Sequence, residues 1–187
     1  MRQKRDAKDK IYALYTHHYL QDEAMKRIFI WMCCLWSGFL CAAPNVILPD
    51  AQGVDHRADE FIGQGRWMVV AIWSADCAIC QREIPTLAFF HDEHKGKDAD
   101  VVGVVIDTVA ERERVRRFID EQGLNFPNLI AAPRDVAHFG GGAFSGTPTY
   151  LLFSPKGELR FKHVGSLDAM ALERRLKQLK AKETPSL

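Results

Sequence analysis

From residue 66 onward the chain alternates short unbroken apolar runs with longer stretches whose apolar residues recur every three or four positions. "RWMVVAIW" (66–73) and "DVVGVVID" (100–107) are continuous runs bounded by turns, the pattern of strands buried on both faces. From Cys77 to about His94 the period becomes helical, with Ile84, Leu87, Ala88 and Phe90 on one side, and Pro85 inside it predicts a kink. "VAERERVRRFIDEQG" (109–123) predicts a helix that turns Val115, Phe118 and Ile119 inward and stops at Gly123. A short segment "PNLIAA" (127–132) follows, then a small helix over 133–139 and the loop "GGGAFSGTP" (140–148). "TYLLFSPKGELRFKHV" (149–164) predicts two strands around the turn Ser154-Pro155-Lys156-Gly157. Residues 166–182 close the chain as an amphipathic helix with Ser166 as its N-cap. Residues 44–66 carry Pro, Asp and Gly punctuation and predict no regular element. The order β-α-β-α-(α)-β-β-α is that of an α/β fold.

Composition changes this picture little. With 187 residues, 47% hydrophobic and 26% charged, the chain suits one globular domain with a sizeable core. Its 25 basic residues balance 24 acidic ones without a basic stripe or an acidic tail, so nucleic acid is not an expected partner.

The N-terminal third changes it more. In "MKRIFIWMCCLWSGFLCAAPN" (25–45), Met25 is followed by Lys26 and Arg27, an apolar stretch and the small-residue cluster Cys41-Ala42-Ala43. That layout predicts a signal peptide or membrane anchor over 25–43. The apolar stretch is shorter than the roughly 20 residues of a spanning helix. Pro44 hinders cleavage after Ala43, which moves a cut to Ala42, and Leu40 before Cys41 matches a lipoprotein site poorly. Residues 1–24 are polar, so either Met25 is the working start or these residues form a short cytoplasmic tail. A lead-in over 44–60 and a folded domain over 61–183 would then lie in the periplasm or another extracytoplasmic space, with a membrane tether as the alternative to release.

Export also reduces the cysteine inventory. Of five cysteines, Cys33, Cys34 and Cys41 fall in or at the end of the exported leader, which leaves Cys77 and Cys80. A four-cysteine zinc site is then excluded. His91 and His94 share a helical face but lie about three to four turns from the cysteines, roughly 16–20 Å, too far for one ion. No metal and no cofactor is expected.

The two remaining thiols stand in "AIWSADCAIC" (71–80), at the junction of a predicted strand and a predicted helix. Unpaired N–H groups and the positive dipole end of a helix stabilise a thiolate there. The first cysteine is exposed and nucleophilic in such an arrangement, and the second, one turn on, can reach back to close a disulfide. A structural disulfide is the competing reading, although such bonds usually close longer loops. A Cys-x-x-Cys in a βαβ context points to redox exchange.

Trp73, Cys77, Cys80, Glu83, Pro85 and the distant Gly146-Thr147-Pro148 together resemble the TlpA/ResA-like thiol-disulfide oxidoreductases of bacterial envelopes, members of the thioredoxin-like superfamily. "WSADCAICQREIPTL" is similar to that family's W-x-x-x-C-x-x-C-x-x-E-x-P segment, and "SGTPTYLLFSPKGEL" to its cis-proline hairpin. The resemblance covers about residues 60–182 and implies a three-layer α/β/α fold with a central mixed sheet. It implies that Cys77 attacks, Cys80 resolves and Glu83 tunes the dithiol or relays its protons. It further implies that Pro148 is cis and faces the disulfide, and that Trp73 and Thr147 contact the client.

Two positions depart from the family. Asp76 stands where Trp is frequent, and a carboxylate beside Cys77 is expected to oppose thiolate formation unless it points into solvent. Ala71 stands six residues before Cys77, where thioredoxins often carry a polar residue, which shifts weight onto Glu83. His138 and His163 are further candidates for the active-site face.

The implied activity is reduction of protein disulfides, with protein thiols and disulfides as clients and a transmembrane thiol donor for re-reduction in an oxidising compartment. Apocytochrome c or metal-site cysteines are the clients that the resemblance suggests. A dithiol oxidase and a non-enzymatic copper carrier are the alternatives. Related copper carriers place three residues between the cysteines, whereas Ala78-Ile79 are two. A peroxidase is disfavoured, because Ser74 without a preceding Pro occupies the position of the expected Thr.

Overall fold

The computed structural model describes residues 46–139 and 141–183. The expectations for the signal or anchor segment, for the start at Met25 and for Cys33, Cys34 and Cys41 lie outside the described residues.

The lead-in is more regular than its composition suggests. β1 (Ile47–Pro49) and β2 (Asp55–Arg57) pair antiparallel, and a 3-10 helix follows at Ala58–Glu60. The turn between them is organised by Asp50, whose carboxylate accepts the N–H groups of Gln52 at 2.9 Å and Val54 at 2.8 Å. Its other oxygen lies 3.1 Å from the His56 ring.

β3 (Trp67–Trp73) is the expected buried strand, and all seven of its residues are buried. The predicted helix divides at Pro85, which has no N–H to give, into α1 (Ala78–Glu83) and α2 (Thr86–His94). β4 (Ala99–Val105) is the second buried strand. A 3-10 turn leads into α3 (Arg112–Gln122), which Gly123 ends at φ +60°, a left-handed conformation that costs glycine little. "PNLIAA" becomes a third parallel strand, β5 (Asn128–Ile130), and a 3-10 helix occupies Asp135–Phe139. The hairpin consists of β6 (Thr149–Phe153) and β7 (Leu159–Val164). In α4 (Ala169–Glu183) the expected cap is displaced. Asp168, not Ser166, accepts the Ala171 N–H at 2.7 Å, because Ser166 is engaged elsewhere.

The five long-range strands form one mixed sheet in the order β5-β4-β3-β6-β7, with β3, β4 and β5 parallel and β6 and β7 antiparallel additions. Alternation along β3 separates two cores. Trp67, Val69, Ala71 and Trp73 face Leu87, Phe90, Val115, Leu172 and Leu176, contributed by α2, α3 and α4. Met68, Val70 and Ile72 face Leu48, Ile62, Val136 and Phe139, so the opposite layer is built from β1, the residues around the 3-10 helix at Ala58–Glu60, and the 3-10 helix at Asp135–Phe139. Each fully buried Val, Leu or Ile side chain contributes about 1.5–3 kcal/mol. The frame that carries the cysteines is therefore anchored on both faces.

Candidate active site

β3 ends at Trp73, and the chain turns through Ser74, Ala75 and Asp76 before Cys77 caps α1. The turn is closed by the Cys77 N–H donating to the Ser74 carbonyl at 3.2 Å. It is tied down from the neighbouring strand. β4 runs parallel to β3 with Val105 beside Trp73, so Asp107 emerges at the same end of the sheet. Its buried carboxylate accepts the Ser74 hydroxyl at 2.6 Å and the Ala75 N–H at 2.8 Å.

Cys77 and Cys80 form a disulfide with their Cα atoms 5.1 Å apart. Their surroundings differ. Cys77 is half-buried, while Cys80 is sealed in the core at 0% exposure. The Cys80 N–H donates to the Cys77 sulfur at 3.1 Å, which makes Cys77 the N-cap of α1. A backbone donor aimed at that sulfur favours negative charge on it once the pair is reduced.

The second loop arrives from the other side. The Thr147-Pro148 peptide is cis, and the Thr147 carbonyl oxygen lies 3.6 Å from the Cys77 sulfur. Thr147 is half-buried and Pro148 buried. The chain order thus brings together residues 70 positions apart at one end of the sheet.

Glu83, one turn after Cys80, is not a solvated surface acid. Its carboxylate accepts the Tyr150 hydroxyl at 3.1 Å, the Leu167 N–H at 2.9 Å and the Ser166 hydroxyl. The acid joins α1, β6 and the entry to α4. Tyr150 is fully buried, and burial, together with the Glu83 charge, pushes its phenol far above the usual range. It therefore remains a donor at any physiological pH. Tyr150 stands directly beside Ala71 in the sheet register. A phenol on the adjacent strand thus lies beside the position where Ala71 carries no polar group.

One expectation needs correction. Trp73 offers no surface to a client. It has 0% exposure, its ring packs 5.2 Å from Phe118, and its indole N–H donates to the buried Asn128 side chain at 3.1 Å. The indole serves the frame beneath the dithiol. Asp76, beside Cys77, is paired. It is exposed, but its carboxylate is bound by the Arg114 guanidinium, whose own pKa this hydrogen bond raises.

Among the described residues no histidine is hydrogen-bonded to Cys77 or Cys80. His91 is buried and accepts the Val101 N–H at 3.3 Å, and burial, then the charge of Lys95, lowers its pKa. The two ring nitrogens of His94 face Asp98 at 2.7 Å and Glu173 at 2.6 Å. His163 meets the Ser166 carbonyl at 2.9 Å, and His138 is exposed. Asp107, Arg114 and Tyr150 are the residues that the motif reading missed. Asp107 had a signal, its position just past the end of an apolar run parallel to β3. Arg114 had none.

The profile of the AhpC/TSA family matches residues 40–162. Thiol-disulfide oxidoreductase ResA of Halalkalibacterium halodurans is 28% identical over 139 residues, which cover 74% of this chain and 75% of that protein. A thiol:disulfide interchange protein of the thioredoxin family from Chlorobium tepidum superposes with a TM-score of 0.64 at 21% identity, over 73% of this chain and 93% of its own. A secreted disulfide oxidoreductase of Mycobacterium tuberculosis does so with a TM-score of 0.58 at 18% identity, over 73% and 96%. At such identities the solved structures establish the fold, which is thioredoxin-like. The chain belongs to the AhpC/TSA family, and with its Cys77–Cys80 pair it is a thiol-disulfide oxidoreductase of the thioredoxin-like kind.

Proposed function

We propose that the protein reduces disulfides of protein clients outside the cytoplasm, with Cys77 attacking and Cys80 resolving. The observation that carries this reading is the asymmetry of the pair: a half-buried sulfur with a backbone donor aimed at it, above a sealed partner. The Cys77 thiolate attacks one sulfur of the client disulfide, forms a mixed disulfide and releases the other client sulfur as a thiolate. Cys80 loses its proton and attacks Cys77, closing the pair and releasing the second client thiol. Two electrons pass from the dithiol to the client. Glu83 is the candidate acceptor for the Cys80 proton, and the Thr147-Pro148 segment is the candidate backbone edge for a client strand.

An oxidising compartment does not maintain the dithiol, so a membrane-borne thiol donor is needed to restore it. Cysteine pairs awaiting haem or metal are clients of suitable chemistry. The experiment that tests the direction of electron flow is the equilibrium reduction potential of the Cys77–Cys80 pair. A reductase is expected to lie at or below about −200 mV, and a value near −120 mV, that of a strong oxidase, would reverse the proposed direction.

A further inference from the structure

We infer that Arg114 is a positioning residue for the dithiol, which holds the Asp76 carboxylate and so keeps its charge from reaching the Cys77 sulfur. The inference rests on the reading of Cys77 as the attacking thiolate.

The geometry is that of a fork among three acids. One terminal nitrogen of Arg114 binds Asp76. The other lies 3.1 Å from Glu111 and 3.7 Å from Asp107. Asp107 in turn holds the Ser74 hydroxyl and the Ala75 N–H, and the Ser74 oxygen accepts the Asp76 N–H at 3.1 Å. One guanidinium therefore reaches both the backbone of the turn before Cys77, through Asp107, and the one side chain of that turn that carries a charge. The Arg114 side chain is about one-third exposed, but its Nε is buried. Lys, a single point charge, could not reach three carboxylates from one planar fork.

The other charges near the turn are differently engaged. Arg82 on α1 donates to the Ala78 carbonyl at 3.1 Å, and the Glu83 oxygens are taken by Tyr150, Ser166 and Leu167. From the β6 side, Thr147 presents only its carbonyl to Cys77. Without Arg114, Asp76, Asp107 and Glu111 would stand as three carboxylates around the turn with no cation between them. Asp76, freed and adjacent in sequence, could then turn toward the sulfur. Like charge within a few ångströms disfavours a thiolate.

The test is a double-mutant cycle read as the pH midpoint of Cys77 alkylation by iodoacetamide, on the reduced full chain, with the Cys77 peptide resolved by mass. R114Q is expected to raise the midpoint by roughly half a unit to one unit, which slows alkylation about three- to ten-fold below the midpoint. R114K should recover part of the loss. Adding D76N to R114Q should reverse at least half of it, a rescue that also requires the variant to fold. An unchanged midpoint in R114Q overturns the inference. So does an R114Q effect of equal size with and without Asp76, since Arg114 would then not act through that carboxylate. Insulin reduction by the unaltered protein is run in parallel. Its failure would count against the reductase reading without altering what the cycle says of Arg114.

Discussion

Cys77 and Cys80 are chemically identical and three residues apart, yet one is half-buried and the other has no exposed surface. Placement, not residue type, assigns their roles. Glu83 illustrates the same point: three donors, one from β6 and two from the entry to α4, fasten its carboxylate one helical turn beyond Cys80. In Glu83→Gln an amide replaces one carboxylate oxygen, so a donor confronts donors. The substitution also removes the proposed acceptor for the Cys80 proton. Stability should fall by about 1–3 kcal/mol. Release of the reduced client from the mixed disulfide should slow at least about ten-fold, while capture by Cys77 keeps its rate. Rapid-quench separation of the two steps checks this. Lost stability with unchanged release would leave Glu83 a purely structural residue. Gly103 shows how little room the frame leaves. A side chain there would overlap the Asn128 amide and come within 2.9 Å of the Trp73 indole nitrogen, so the bond that seats Trp73 depends on that glycine.

Among the elements, those legible in the sequence are the ones whose cause is local. β3 and β4 are written as unbroken apolar runs, the kink as Pro85, and the end of α3 as Gly123. β5 has three residues and exists through parallel pairing with β4, which no window of local sequence contains, while β1 and β2, also three residues each, pair with one another across a turn that Asp50 holds through its side chain. Ser166 had the right side chain for a cap, but Glu83, 83 residues earlier, claims its hydroxyl. The predicted export segment over 25–43 belongs at this scale too. Residues 25–60 fused ahead of a reporter that works only outside the cytoplasm should give activity, because the Lys26-Arg27 flank and the Cys41-Ala42-Ala43 cluster fit translocation. Activity confined to a cytoplasmic reporter would remove the export reading and restore Cys33, Cys34 and Cys41 to the thiol inventory.

In the whole molecule, a five-stranded mixed sheet carries the dithiol at one end of its central strand and brings three separate loops to that end. The motif residues were legible because each advertises its own chemistry: two thiols at a strand–helix junction, and a proline after Gly-Thr. Asp107, Arg114 and Tyr150 were not, since they meet Ser74, Asp76 and Glu83 across 33, 38 and 67 positions and are aligned by sheet register and helix packing alone. The proposed roles of the two thiols are unequal, with Cys77 attacking and Cys80 resolving. Incubation of reduced Cys80→Ser and Cys77→Ser variants with a disulfide-bonded client, followed by acid quench and non-reducing separation, tests this most directly. Cys80→Ser should accumulate a mixed disulfide through Cys77, and Cys77→Ser should form little because Cys80 is sealed in the core. Equal trapping by both variants, or trapping by Cys77→Ser alone, would mean that Cys77 is not the attacking thiol of the pair.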